Sequence, residues 1–254
     1  MHFTSEKNLD ASTTEREFRL GGISGILWMP SAASSAAPVP LIAMGQPGGI
    51  GIQQMYARLA ARARSAAAGG FASIAIELPG AGDRTPLPGG ERARADLRRA
   101  VSAGVPPEER VIDQLILPLV DEAVPEWQIA LDKALELPEI GKRVGFSGGL
   151  TAIGVRLAVV DPRLAAAGLF AGSYVPRTTI EEARRVTIPL HVLLQWDDEG
   201  NDRGMALDLF DAFGSKEKTL NANMGGHTGV PAFAGDEVLR FFTRHLGPLA
   251  PTSG

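Results

Sequence analysis

Four short apolar runs, at residues 39–44, 71–78, 142–146 and 190–196, each stop at a glycine-rich or acidic break, and a fifth lies at 165–170. Helical patterns separate them, the clearest at 53–67, where Gly69-Gly70 closes it. Runs that are apolar on both faces and alternate with helices imply a mainly parallel sheet covered on both sides. Such sheets carry their sites beyond the carboxyl ends of the strands. The four breaks therefore converge on one edge of one sheet.

The remaining chain fits around that core. Residues 15–20 and 23–29 read as two strands of a hairpin turning at Gly21-Gly22, and 31–37 as an exposed connection. A last short strand is expected at 219–224, a terminal helix at 236–245 and a frayed tail at 248–254. Residues 85–125 break the rhythm. They open with prolines and glycines, continue as a charged helical segment, and end in the strongly apolar 111–124. That surface is larger than a connecting helix needs, so it reads as a lid or wall inserted over the site. The length of 254 residues suits one domain, 1–254, with the insertion at 85–125.

Composition removes several function classes. There is no cysteine, which excludes disulfides, thiolate catalysis and cysteine-based metal sites. A formal charge of −4 without a dense basic run argues against nucleic-acid binding. No apolar stretch reaches the roughly 20 residues of a membrane span. The polar first residues lack a signal segment, so a cytoplasmic location is expected. Asp, Glu and His are too scattered to suggest a metal centre.

The break after 142–146 reads Gly145-Phe146-Ser147-Gly148-Gly149. A serine framed by glycines, between a strand and a helix, can lift its hydroxyl above the sheet edge as a nucleophile. The alternative is a small-residue turn that lets helix and sheet approach. Leu150 stands where another small residue is usual; moving the register by one would put Gly148 at the apex and lose the hydroxyl. Of the four histidines, only His227 sits on a glycine-rich loop after a strand, and its side-chain chemistry suits a general base. His2 lies in a loose N-terminal segment, His191 in a buried strand and His245 on a solvent-facing helix. The Asp197-Asp198-Glu199 turn supplies an acid to orient the imidazole; Asp198 is preferred and Asp197 is second.

An oxyanion would be held by the main-chain N–H of Gly148 and one from residues 45–51. Pro47 has no N–H, which leaves Gly48 first and Gln46 second. That loop lacks a proper dinucleotide fingerprint, and no phosphate-binding lysine follows. Trp196, Leu115 and Leu119 are candidates for the substrate pocket. Arg84 is expected to pair with Asp83 or Glu77.

With these motifs in place, the chain resembles the α/β-hydrolase superfamily, and most its dienelactone-hydrolase-like and small serine-esterase branches. The resemblance spans residues 19–247 and includes Gly45-Gln46-Pro47-Gly48-Gly49, Glu77-Leu78-Pro79-Gly80-Ala81-Gly82-Asp83 and Gln195-Trp196-Asp197-Asp198-Glu199 besides the serine and histidine motifs. It implies a three-layer α/β-hydrolase fold with a mostly parallel central sheet. It also implies a Ser147, Asp198, His227 triad, no cofactor, and a small-molecule ester, lactone or thioester as substrate. Gln46-Pro47 replaces the usual His-Gly, and Gly200-Asn201-Asp202 the usual Val-Pro, which leaves room for a changed reaction. The superfamily also holds lyases, cyclases and non-catalytic binding proteins. Assembly is open, a homodimer included.

Overall fold

The structure, a computed structural model, describes residues 1–247; the expected frayed tail lies outside the described residues. Nine strands form one sheet: β1 (His2–Asn8), β2 (Thr13–Leu20), β3 (Ile23–Pro30), β4 (Val39–Gly45), β5 (Ala72–Ile76), β6 (Ile140–Gly148), β7 (Leu164–Phe170), β8 (Leu190–Gln195) and β9 (Lys218–Asn223). Their spatial order is β1-β2-β3-β5-β4-β6-β7-β8-β9. The first three strands and the β3–β5 pairing are antiparallel, and every pairing from β5 to β9 is parallel. The hairpin turn falls where Leu20 opposes Ile23.

Helices cover both faces, as parallel strands joined by crossovers require. On one face lie α1 (Ile52–Ala68) and α7 (Ala232–Leu246); Leu59, Ala63 and Ala66 of α1 pack with Ile42 and Met44 of the sheet. On the other lie α3 (Glu109–Ala134) and α4 (Thr151–Val160), with α2 (Gly90–Ser102), α5 (Arg177–Ala183) and α6 (Arg203–Ala212) around them. Residue alternation along β6 divides its side chains between the faces. Phe146 meets Trp127 of α3 edge-on at 6.3 Å, a contact worth about 1 kcal/mol beyond the area it buries. Gly145 faces α7; a Cβ there would lie 2.7 Å from Phe242 and Leu246, so the bare backbone lets that helix sit down on the sheet.

Several local expectations change. The N-terminal segment is not loose, because His2–Asn8 adds an exposed edge strand to β2 with His2 opposite Arg19. The apolar segment 111–124 is the first half of a longer helix. α3 continues through Pro118 and Pro125 to Ala134, since Trp127, Ala130, Leu131 and Ala134 are all buried against the sheet. Burying that face offsets the hydrogen bonds the two prolines cannot donate. The inserted segment thus merges into a core helix. Arg84 pairs not with Asp83 or Glu77 but with Glu126, because α3 lies over its loop; its Nη1 also donates to the Glu77 carbonyl oxygen at 2.9 Å. His245 does not face solvent; its ring packs on Phe241 with centroids 4.7 Å apart.

Candidate active site

Asp198 follows β8 in a turn, buried while Asp197 is exposed. Its Oδ1 accepts the N–H of Gly200 at 3.0 Å, and its Oδ2 lies 2.7 Å from Nδ1 of His227. Both carboxylate oxygens are occupied, which restrains the group from rotating away from the imidazole. With Nδ1–H donated to Asp198, Nε2 keeps the lone pair. The exposure contrast is marked: 52% for the His227 side chain and 2% for that of Asp198. A buried charge thus orients a reachable base.

The His227 loop is held from beneath. Gln195, the last residue of β8 and buried, donates from Nε2 to the Gly226 carbonyl oxygen at 3.1 Å. The N–H of Asp197 donates to the Gly225 carbonyl oxygen at 3.2 Å. Phe170, the last residue of β7, meets the imidazole edge-on at 5.4 Å. Asn201 Nδ2 donates to the Ala171 carbonyl oxygen at 2.7 Å, tying the acidic turn to the end of β7. Phe170 and His227 therefore lie over the same part of the sheet edge as β6.

Ser147 is half-buried near the end of β6, opposite Met44 and Gly168. Strand alternation puts its side chain on the α7 face with Gly145, one strand spacing and two residues from Phe170, so roughly 8 Å between Cα positions. Ser147 is not hydrogen-bonded to His227 among the described residues. The left-handed backbone point falls one residue later, at Gly148, with φ of 114°. The strand ladder extends through Gly148, which opposes Gly45 and Leu169, and α4 begins only at Thr151. The sheet thus carries the serine one residue before its turn. Ser73, another serine of the sheet, is buried mid-strand in β5 opposite Trp28 and Ile42, four strand spacings or about 19 Å from β8.

The loop after β4 supplies the other candidates. Gln46 is buried, and its Nε2 donates to the Ile76 carbonyl oxygen at 3.1 Å, so its side chain anchors the loop to β5. Gly48 lies against Leu119 of α3; a Cβ there would come within 2.6 Å of the leucine methyl. Leu115 and Leu119 line a cavity of about 140 Å³ together with Gly48 and Leu150. Trp196 is on neither that wall nor the wall beside His227; the guanidinium of Arg203 stacks on its ring at 4.3 Å.

Arg62 of α1 was not among the sequence candidates. Its Nη2 donates to the Ser147 carbonyl oxygen at 2.7 Å and its Nη1 to that of Gly45 at 3.1 Å, which joins the ends of β6 and β4. Burial pushes its guanidinium pKa down to about 10, and it stays charged at neutral pH. The signal was present: Arg62 falls on the apolar stripe of Leu59, Ala63 and Ala66 at helical spacing, where a solvated arginine has no place. Among the described residues no cluster of three or more acidic or histidine side chains could hold a metal ion, and no helix is long and apolar enough to cross a membrane.

A central, mostly parallel sheet between two helical layers, with acid and histidine on the turns beyond its strands, is the α/β-hydrolase fold found in esterases and peptidases. Among solved structures, a cold-adapted esterase from an Arctic intertidal metagenomic library matches with a TM-score of 0.74 and 25% identity, over 97% of this chain and 100% of that one. An acetyl xylan esterase from Paenibacillus sp. R4 matches with a TM-score of 0.66 and 15% identity, over 96% of this chain and 88% of that one. The Pyrococcus horikoshii acylaminoacyl peptidase matches with a TM-score of 0.63 and 14% identity, over 96% of this chain but only 43% of the peptidase. No protein-family model and no curated protein matches the sequence.

Proposed function

We propose that the chain hydrolyses small carboxylic esters, with lactones and thioesters as chemically equivalent alternatives, using Ser147, His227 and Asp198. The observation that carries this reading is the 2.7 Å contact between Asp198 and His227 at the carboxyl edge of the sheet. Likeness to an esterase over the whole of that chain supports the same chemistry.

In this mechanism His227 Nε2 takes the Ser147 hydroxyl proton as Oγ attacks the carbonyl carbon. The carbonyl π electrons move to oxygen, and the N–H groups of Gly48 and Gly148 are the proposed donors to that oxyanion. Collapse expels the alcohol, which takes the proton from His227 and leaves an acyl-Ser147. Water then attacks the acyl carbon, giving its proton to His227, and collapse releases the acid as that proton returns to Ser147 Oγ. Asp198 stays ionised throughout and stabilises the imidazolium. The last turn of β6 must bring the hydroxyl toward the imidazole for this route.

Ser147's place inside the ladder, without a bond to His227, favours a second reading. There His227 and Asp198 activate water or a substrate proton directly, with no acyl-enzyme, as a lyase or cyclase would require. Purified wild type, S147A and H227A assayed with p-nitrophenyl acetate, and labelled with a fluorophosphonate, separate the two. Loss of turnover in both variants, with the label mapped to Ser147, supports the acyl-enzyme. Turnover that survives in S147A but not H227A, without labelling of Ser147, gives the second reading. An inactive wild type, tested over ester chain lengths, rejects ester hydrolysis.

A further inference from the structure

The cavity beneath α3 contains a cation with no counter-charge. It lies where the loops after β4 and β6 meet the inserted helices, and its wall includes Gly48, Arg94, Leu115, Leu119, Leu150 and Tyr174. Nearby, Arg99 pairs with Asp96 and Arg84 with Glu126, while Arg92 and Arg98 of α2 point into solvent, exposed where Arg94 is half-buried. Arg94, from α2, has neither a carboxylate within ion-pair reach nor a hydrogen-bond partner among the described residues. Its guanidinium instead lies against the backbone of Gly49, where a Cβ would fall 2.2 Å from Nη2. Gly49 has φ of 75°, so both the turn and the arginine's approach need glycine there.

An unpaired cation beside an aliphatic wall attracts one class of ligand. The guanidinium offers a fork of N–H donors that fits a carboxylate, and it is more weakly hydrated than an ammonium, so it gives up less water on pairing. The leucines around it accept a short hydrocarbon segment. A cavity near 150 Å³ holds a molecule of about six heavy atoms, which bounds that segment at a few carbons. The cavity also adjoins the proposed chemistry: Gly48 is a candidate oxyanion donor and Leu150 follows the serine turn. Burial raises the phenol pKa of Tyr174, and the charges of Asp202 and Asp198 push it the same way.

We infer that Arg94 and the leucine-lined cavity form a subsite for a short aliphatic carboxylate, carried on the substrate as the free acid end of a hemi-ester. The binding site stands on its own residues; its role as a substrate subsite rests on the ester-hydrolase reading. Arg94 sets specificity here and takes no part in bond cleavage.

Butyrate and butyramide have the same chain and differ in charge, so titrating each into the wild-type protein by calorimetry at fixed ionic strength reads the cation directly. Butyrate is expected to bind at least about 10-fold tighter than butyramide, and R94Q to remove that difference while leaving butyramide binding unchanged. R94K, which keeps the charge without the fork, should retain part of it. L119F, which fills the cavity, should weaken both ligands. Circular dichroism and thermal midpoints establish that the variants fold. Equal affinities for the two ligands, unchanged butyrate affinity in R94Q, or no butyrate binding to the wild type would each overturn the subsite. Ester turnover without butyrate binding removes this inference alone. Arg94-dependent binding in a protein that cleaves no ester leaves the site standing and removes the hydrolase reading.

Discussion

Arg62 reaches from α1 to the Ser147 carbonyl oxygen, 2.7 Å away, and so fixes the peptide that joins the candidate nucleophile to Gly148. A trans peptide points its C=O and N–H in opposite directions, so the contact also sets where the Gly148 N–H is aimed. Because Nη1 holds Gly45 as well, one side chain positions both strand ends that flank the site. R62M should therefore lower kcat by about 10-fold with little change in KM. Removing a buried charge relieves its desolvation, whereas orphaned carbonyls cost about 1–3 kcal/mol each, so the thermal midpoint should move by only a few degrees. R62K should recover part of the rate. Steady-state kinetics beside a thermal melt checks this, and a wild-type kcat in R62M would remove the clamp from catalysis.

The residues legible in the sequence and those that were not differ in a physical way. The strands at 39–44, 142–146 and 190–196 announce themselves because burial on both faces forces continuous apolar runs. His227 and Asp198 were legible because glycine-rich and acidic breaks punctuate those runs, and the structure brings the two side chains together. Arg62, Gln195 and Arg94 were not singled out, since each acts on a partner remote in sequence: Ser147, Gly226 and Gly49. The continuation of α3 past Pro125 was also hidden, because a proline is a local stop signal that tertiary burial of Trp127 and Leu131 overrides. The short helices α5 and α6 carry too few turns for a helical period to stand out.

Gln195 holds the His227 loop through one hydrogen bond, from Nε2 to the Gly226 carbonyl oxygen, while its buried Oε1 has no partner. Q195L should free that loop without creating a charge. The expected result is a fall in kcat of about 10-fold and faster hydrogen exchange at residues 225–229. Q195E should be worse at neutral pH, because a carboxylate would face the carbonyl oxygen it replaces a donor for. Exchange and kinetics that stay at wild-type values in Q195L would argue that the backbone contact from Asp197 suffices.

Replacing one or other neighbouring aspartate tests the orientation of the imidazole. D198N presents an amide to Nδ1 and favours the tautomer with its lone pair on the wrong nitrogen, so kcat should fall on the order of 10³- to 10⁴-fold. D197N alters an exposed side chain whose backbone N–H is the group that matters, and should stay within about 2-fold of wild type. Equal losses in the two variants would contradict the Asp198 assignment.

Two other histidines should govern the acid limit of stability. His191 in β8 lies between Thr219 and Asn221, with Phe241 of α7 over its ring, and His245 packs on the same phenylalanine. Burial lowers the pKa of both below 6.5; nearby Glu237 opposes the shift at His191, Glu217 opposes it at His245, and Arg244 reinforces it there. The folded protein thus keeps both rings neutral at pH values where the unfolded chain has begun to bind protons. Their contribution is fully present above the unfolded pKa of 6.5 and is lost as pH falls through that value toward the lower folded pKa values. Thermal midpoints measured from pH 7.5 down to pH 5 should therefore decline, and H191Q should flatten the decline even if its midpoint at pH 7.5 is lower. A slope in H191Q as steep as that of the wild type would assign the acid sensitivity to other groups.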